Sequence, residues 1–103
     1  MGKDIIIETN IQKDTATLDI DGDITGITGK TLKEACMDDS VSEAKKIILH
    51  FGKECYINSD GIAYLIDIIS ESRSRSQKVS AAGLSDHYKK IFHLVGLSNI
   101  IEM

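Results

Sequence analysis

The chain has 103 residues, the size of one ordinary domain, and 42% of them are apolar, which is enough to bury a core. Aromatics make up 5% and Trp is absent, so that core is aliphatic; a net charge of −4 argues against the basic face a nucleic-acid binder carries. No apolar run approaches the roughly 20 residues that span a bilayer, and Met1-Gly2-Lys3-Asp4 is not a secretory leader, so the expectation is a cytoplasmic protein with no membrane association.

Ile5, Ile6 and Ile7 begin a strand expected to end near Thr9, with a turn at "NIQKD". "TATLDIDG" then alternates Ala16, Leu18 and Ile20 with Thr15, Thr17 and Asp19, a period of two that marks a half-buried strand. Residues 4 to 21 therefore read as a hairpin. "DGDITGITGK" is Gly-rich and polar, hence a loop, with Thr28 a candidate cap for a helix over about 29 to 38. The inner face of that helix would carry Leu32, Ala35 and Cys36. Cys36 and Cys55 belong to no C-x-x-C pair and are expected as buried free thiols of a reducing compartment.

"KKIILHF" is a short apolar run bounded by charge and Gly52, as in a central strand. A long helix follows from residue 59 to about 75, in which Ile62, Leu65, Ile66 and Ile69 form one stripe. "KVSAAG" is a brief strand. Ser85 or Asp86 caps a last helix carrying Tyr88, Ile91, Phe92 and Val95 on one side, and Gly96 stops it. "SNIIEM" is a short terminal segment, read as an edge strand. The order ββαβαβα implies an α/β fold, a mixed sheet with an N-terminal hairpin and helices packed on it.

The stretch "YINSDGIAYLIDII" carries the chemistry. The first turn of a helix exposes unpaired N–H groups and a partial positive charge, and Asn58, Ser59 and Asp60 can each accept from those donors. One of the three is expected as the cap. The same position suits a phosphate, because a phosphoserine there would put roughly two negative charges on an anion-favouring helix end.

A strand ending in "IILHF", then Asn58-Ser59-Asp60-Gly61-Ile62 opening a helix, and Ile91-Phe92 followed by Gly96-Leu97 near the end resemble the anti-sigma factor antagonists, which are STAS domains. Gly22-Asp23-Ile24-Thr25 loosely matches a third family motif, and the resemblance covers essentially the whole chain, 1–103, as one domain. It implies that Ser59 is phosphorylated by an anti-sigma factor serine kinase of GHKL type, that the phosphorylated form releases this kinase, and that a phosphatase restores binding. It implies a docking surface of Asp23, Ile24, Thr25, Asn58, Asp60 and Gly61, with no cofactor, no metal and no catalytic residue of the protein's own. Self-association to a homodimer stays open.

Two residues depart from the family pattern. Asn58 stands where the family has Asp; if that carboxylate helps orient or deprotonate the serine, the amide cannot take the proton and phosphorylation should slow, while partner docking need not suffer. Asp60 replaces a small hydroxyl residue, and two unit charges about 5 Å apart repel by roughly 1–3 kcal/mol. Both departures suit an alternative, a STAS docking subunit of a larger regulatory or membrane-transport assembly that is never phosphorylated. A serine hydrolase using Ser59 with His50, His87 or His93 is disfavoured, because no G-x-S-x-G surrounds Ser59.

Overall fold

A computed structural model describes residues 5–103. Strands β1 (Ile6–Gln12), β2 (Thr15–Asp21), β3 (Lys46–Phe51) and β4 (Lys78–Ala82) form one sheet in the order β1-β2-β3-β4. The pair β1–β2 is antiparallel, while β2–β3 and β3–β4 are parallel. Helices α1 (Thr28–Cys36) and α2 (Asp39–Ser42) connect β2 to β3, α3 (Ser59–Ser74) connects β3 to β4, and α4 (Asp86–Leu94) follows. The fold is the expected mixed α/β arrangement.

Alternation sorts the sheet into two faces. Ala16, Leu18 and Ile20 of β2, Ile47, Leu49 and Phe51 of β3, and Val79 and Ala81 of β4 are buried in one apolar cluster with Leu32, Leu65, Ile68, Ile69 and Phe92 of the helices. Phe92 meets Phe51 edge to face, with ring centroids 6.3 Å apart. The opposite face exposes Asp19 and His50, whose carboxylate and ring lie 2.9 Å apart. Helices thus cover one side only.

Several expectations need correction. Strand β1 runs on to Gln12, because Asn10, Ile11 and Gln12 pair with Thr17, Ala16 and Thr15, leaving Lys13 and Asp14 as the turn. Lys13 takes the strained φ of 57° that so short a connection demands. Thr28 does not cap α1: it is the first helical residue, and its hydroxyl donates to Asp23 O and accepts from Thr25 N. Helix α2 was not expected; Asp38 opens it by accepting from Ser40 N at 3.1 Å.

The buried stripe of α3 is rotated from the one expected. Gly61, Leu65, Ile68, Ile69 and Ser72 face inward, while Ile66 is 36% exposed. In α4, Ser85 is the cap, accepting from Tyr88 N, and Val95 lies past the last turn with 44% exposure instead of on the inner side. The terminal segment forms a 3-10 turn at Leu97–Asn99 and meets β4 through one bridge, Ser80 with Glu102, so it is no full strand. Gln77 ties α2 to the body: its buried amide donates to the carbonyls of Val41, Ser42 and Ala44 at 2.9, 3.1 and 2.7 Å.

Candidate functional site

Two loops leave the C-terminal ends of β2 and β3 and are pinned side by side. Ile24 N donates to Tyr56 O at 2.7 Å, and Asn58 N donates to Ile24 O at 3.1 Å, a single parallel bridge between Ile24 and Ile57 beyond the strands proper. Ile57 N in turn donates to the Tyr88 hydroxyl at 2.9 Å, which fixes the second loop to α4. These bonds bring residues 23–26 beside the start of α3, as continuations of neighbouring strands should be.

The first loop is stitched by its threonines. The Thr25 hydroxyl accepts from Ile27 N at 3.2 Å and Thr28 N at 3.3 Å, doing the work expected of Thr28. Within "ITGITG" the two repeats then diverge. Ile24 is fully buried, whereas Ile27 is 84% exposed. Both glycines of the repeat meet α3: a β-carbon on Gly26 would lie 3.3 Å from the Asp60 side chain, and one on Gly29 would lie 2.8 Å from the Tyr64 ring.

At the head of α3 the cap is Asn58. Its backbone is extended, and its side-chain oxygen accepts from Gly61 N at 2.8 Å. Ser59 is therefore the first helical residue, not the cap. It is exposed, and among the described residues its hydroxyl has no hydrogen-bond partner. Asp60 is also exposed and supplies the only acidic side chain of the first turn. Gly61 is buried against the first loop: a β-carbon there would sit 2.2 Å from Ile24 O, so no side chain fits without movement.

A shallow cleft beside this turn, between α1 and α3, is lined by Gly26, Lys33, Asp60, Ala63, Tyr64 and Asp67. Lys33 bridges the two helices by pairing with Asp67 and, at 3.5 Å, with Glu71; its pKa is raised chiefly by the hydrogen bond to Asp67. Exposed Ile27 and 57% exposed Tyr56 flank the loops. Buried Cys55 lies beneath, its thiol pushed up to about 11 by burial and then by the charges of Asp23 and Asp21.

All six residues of the expected docking surface and Ser59 thus belong to one region at one end of the sheet. Asp23, Thr25 and Asn58 are half-buried and Asp60 is exposed, whereas Ile24 and Gly61 are buried and hold the backbone rather than offering side chains. The three histidines are engaged elsewhere: His50 with Asp19, His93 with Ser98 at 2.9 Å, and His87 edge-on to Tyr88. Among the described residues no group of three His, Cys, Asp or Glu side chains could hold a metal ion, and no helix is long and apolar enough to cross a membrane. Sequence reading missed Ile27 and Tyr56. An isoleucine between Gly26 and Thr28 in a polar loop was the available signal for the first.

Comparison with known proteins is consistent with this geometry. The family model described as STAS domain matches residues 7–103. A curated relative from Listeria monocytogenes, the anti-sigma-B factor antagonist, is 30% identical over 94 residues, which cover 89% of this chain and 82% of that protein. The protein of the same name from Listeria innocua matches equally. Among solved structures, an anti-sigma factor antagonist from Mycobacterium paratuberculosis superposes with a TM-score of 0.73 at 15% identity, covering 94% of this chain and 82% of the other. The phosphorylated form of the Bacillus cell-fate determinant SpoIIAA does so with a TM-score of 0.69 at 13% identity, covering 93% and 88%.

Proposed function

This chain belongs to the STAS domain family and to its anti-sigma factor antagonists, and on that premise we propose that it is a protein-binding switch whose serine is Ser59. With Ser59 unmodified, the protein holds an anti-sigma factor kinase of the GHKL type, so that the cognate sigma factor is free to direct transcription. That kinase transfers a phosphoryl group from ATP to Ser59, and the phosphoprotein dissociates. A phosphatase resets it. The chain, 1–103, acts here as one domain and as a substrate, with the catalytic groups and the nucleotide on the kinase.

The observation that carries this reading is the division of labour at the start of α3. Asn58 satisfies the Gly61 N–H, which leaves the neighbouring Ser59 hydroxyl exposed and, among the described residues, unengaged. A serine that capped its own helix would have to give up that bond before reacting. Phosphorylation adds about −1.5 to −2 charge beside Asp60. The fold tolerates this at a helix N-terminus, but a partner packed over the loops must then accept a hydrated dianion. Fold stability and partner affinity are separate quantities, and the switch works on the second.

The accessible docking surface comprises Asp23, Thr25, Asn58 and Asp60, with Ile27 and Tyr56 as apolar anchors, while Ile24 and Gly61 maintain its shape. One observation favours a second reading, constitutive docking within a larger regulatory assembly. Asp60 already puts a carboxylate next to Ser59, and the amide of Asn58 cannot take the serine proton.

Intact mass of protein purified from its native host, compared with Ser59→Ala, separates the two. A phosphate-sized increment that vanishes in Ser59→Ala supports the switch, together with kinase capture by the unmodified form alone. Absence of the increment, with cognate kinase, ATP and phosphatase inhibitor present, leaves constitutive docking.

A further inference from the structure

We propose that the protein pairs with a second copy of itself through the outer edge of β1, joining two sheets into one about a two-fold axis at Thr9. Among the described residues, strand β1 lies at one end of the sheet and is hydrogen-bonded to β2 alone. The other end is partly occupied: Ala81 N donates to Glu102 O at 2.7 Å, and Glu102 N donates to Val79 O at 3.1 Å, so Glu102 engages two groups on the outer rim of β4. The two edges are treated differently.

An edge strand left unprotected is a template for another strand, and proteins usually blunt it with proline, lysine, a bulge or brevity. Strand β1 has none of these. It is seven residues long, its register with β2 is unbroken from Ile6 to Gln12, the chain contains no proline, and the single charge in the strand is Glu8. Ile6 and Ile11 are 61% and 42% exposed.

The sequence of the strand is complementary to itself in one antiparallel register. With the axis at Thr9, Ile7 faces Ile11 of the second copy and, by symmetry, Ile11 faces its Ile7. Both sit on the face that carries Ile20 and Ala16, so the apolar layer continues across the junction. Glu8 faces Asn10, whose amide can donate to the carboxylate, and Thr9 faces Thr9. A shift of the axis to Glu8 sets two carboxylates opposite each other. A shift to Asn10 replaces both isoleucine pairs with Ile11 opposite Thr9 and Ile7 opposite Lys13. Charge and apolar matching thus select the Thr9 axis.

The pairing inverts strand direction from one copy to the other. The Ser59 ends of the two copies therefore point to opposite ends of the joined sheet, and neither is covered. This inference does not depend on phosphorylation.

The test is sedimentation of the full chain from micromolar to millimolar concentration, alongside Thr9→Lys and a cysteine series under mild oxidation. Dimer expected for the parent should be lost in Thr9→Lys, which sets two like charges across the axis at an exposed position. Thr9→Cys should form an intermolecular disulfide several-fold faster than Glu8→Cys or Asn10→Cys, because residue 9 alone meets its own counterpart. Native Cys36 and Cys55 are buried and contribute little background. A parent chain that stays monomeric throughout, a dimer indifferent to Thr9→Lys, or equal cross-linking at positions 8, 9 and 10 overturns the proposal. The cysteine series stands on its own if Thr9→Lys disturbs folding.

Discussion

Gly61 and Ile24 are in backbone contact: a β-carbon on the glycine would lie 2.2 Å from the isoleucine's carbonyl oxygen. The same carbonyl accepts from Asn58 N, so one oxygen aligns the loop after β2, the loop after β3 and the first turn of α3. That contact sets where Ser59 sits.

Gly61→Ala should therefore destabilise the protein, although alanine is the better helix former by about 1 kcal/mol. Overpacking against backbone costs roughly 1–3 kcal/mol or more, and the clash outweighs the propensity gain. Thermal melting is the measurement, with a drop of several degrees expected. A melting temperature at or above that of the parent would show that the loop after β2 yields freely.

Asn58→Asp keeps the cap, since both side chains accept equally well, so stability should change by less than about 0.5 kcal/mol. If Ser59 is the phosphoacceptor, the restored carboxylate should speed phosphoryl transfer by the cognate kinase by about tenfold or more. Asn58→Ala should instead cost about 1 kcal/mol and release the Gly61 N–H. Single-turnover phosphorylation and denaturant unfolding read the two effects apart. An unchanged rate in Asn58→Asp would mean that this position only caps.

Ile27→Asp should leave stability within about 0.5 kcal/mol, because the side chain is 84% exposed. If the two loops form the docking surface proposed above, binding of the unmodified protein to its anti-sigma factor should fall at least about tenfold, as for a buried apolar anchor. Titration calorimetry on the purified pair is the direct measurement. Unaltered affinity would remove this loop from the docking surface.

Both thiols predict alkaline sensitivity. Burial pushes Cys36 up to about 12 and Cys55 up to about 11, from an ordinary value of 9.0. The folded state therefore favours the protonated thiols. The stability they contribute is fully present below pH 9 and is lost as pH rises through the folded values near 11 and 12. Urea midpoints should decline from pH 9 to 11, less steeply in Cys36→Ala, with slope and not level as the readout. A slope identical to the parent's would count against a raised thiol at this position.

The sequence exposed the fold where periodicity was strong and local. Alternation in Thr15–Asp21 and the compact run at Lys46–Phe51 stand as strands, and Asn58, Ser59 and Asp60 correctly marked a helix start. What escaped was decided by tertiary contact. The inner stripe of α3 includes Gly61 and Ser72, which an apolar count ignores, because the helix approaches its neighbours closely there. Polar Asn10 and Gln12 resemble a turn until pairing with β2 holds them extended. Thr28 has the composition of a cap, yet Thr25 reaches the free N–H groups first. At the candidate site the identities of the residues were readable, but not that Asn58 caps while Ser59 stays free, nor that Ile24 turns inward and Ile27 outward.

Under the proposed β1 pairing, the contact of Glu102 with β4 would also bear on how far assembly can proceed. A sheet that gains a neighbour on one rim, while Glu102 holds Val79 O and Ala81 N on the other, favours a closed two-fold pair over a growing fibre. Releasing Glu102 from β4 would free those two backbone groups and favour end-to-end growth. In that sense Glu102 would act as a chain terminator for polymerisation.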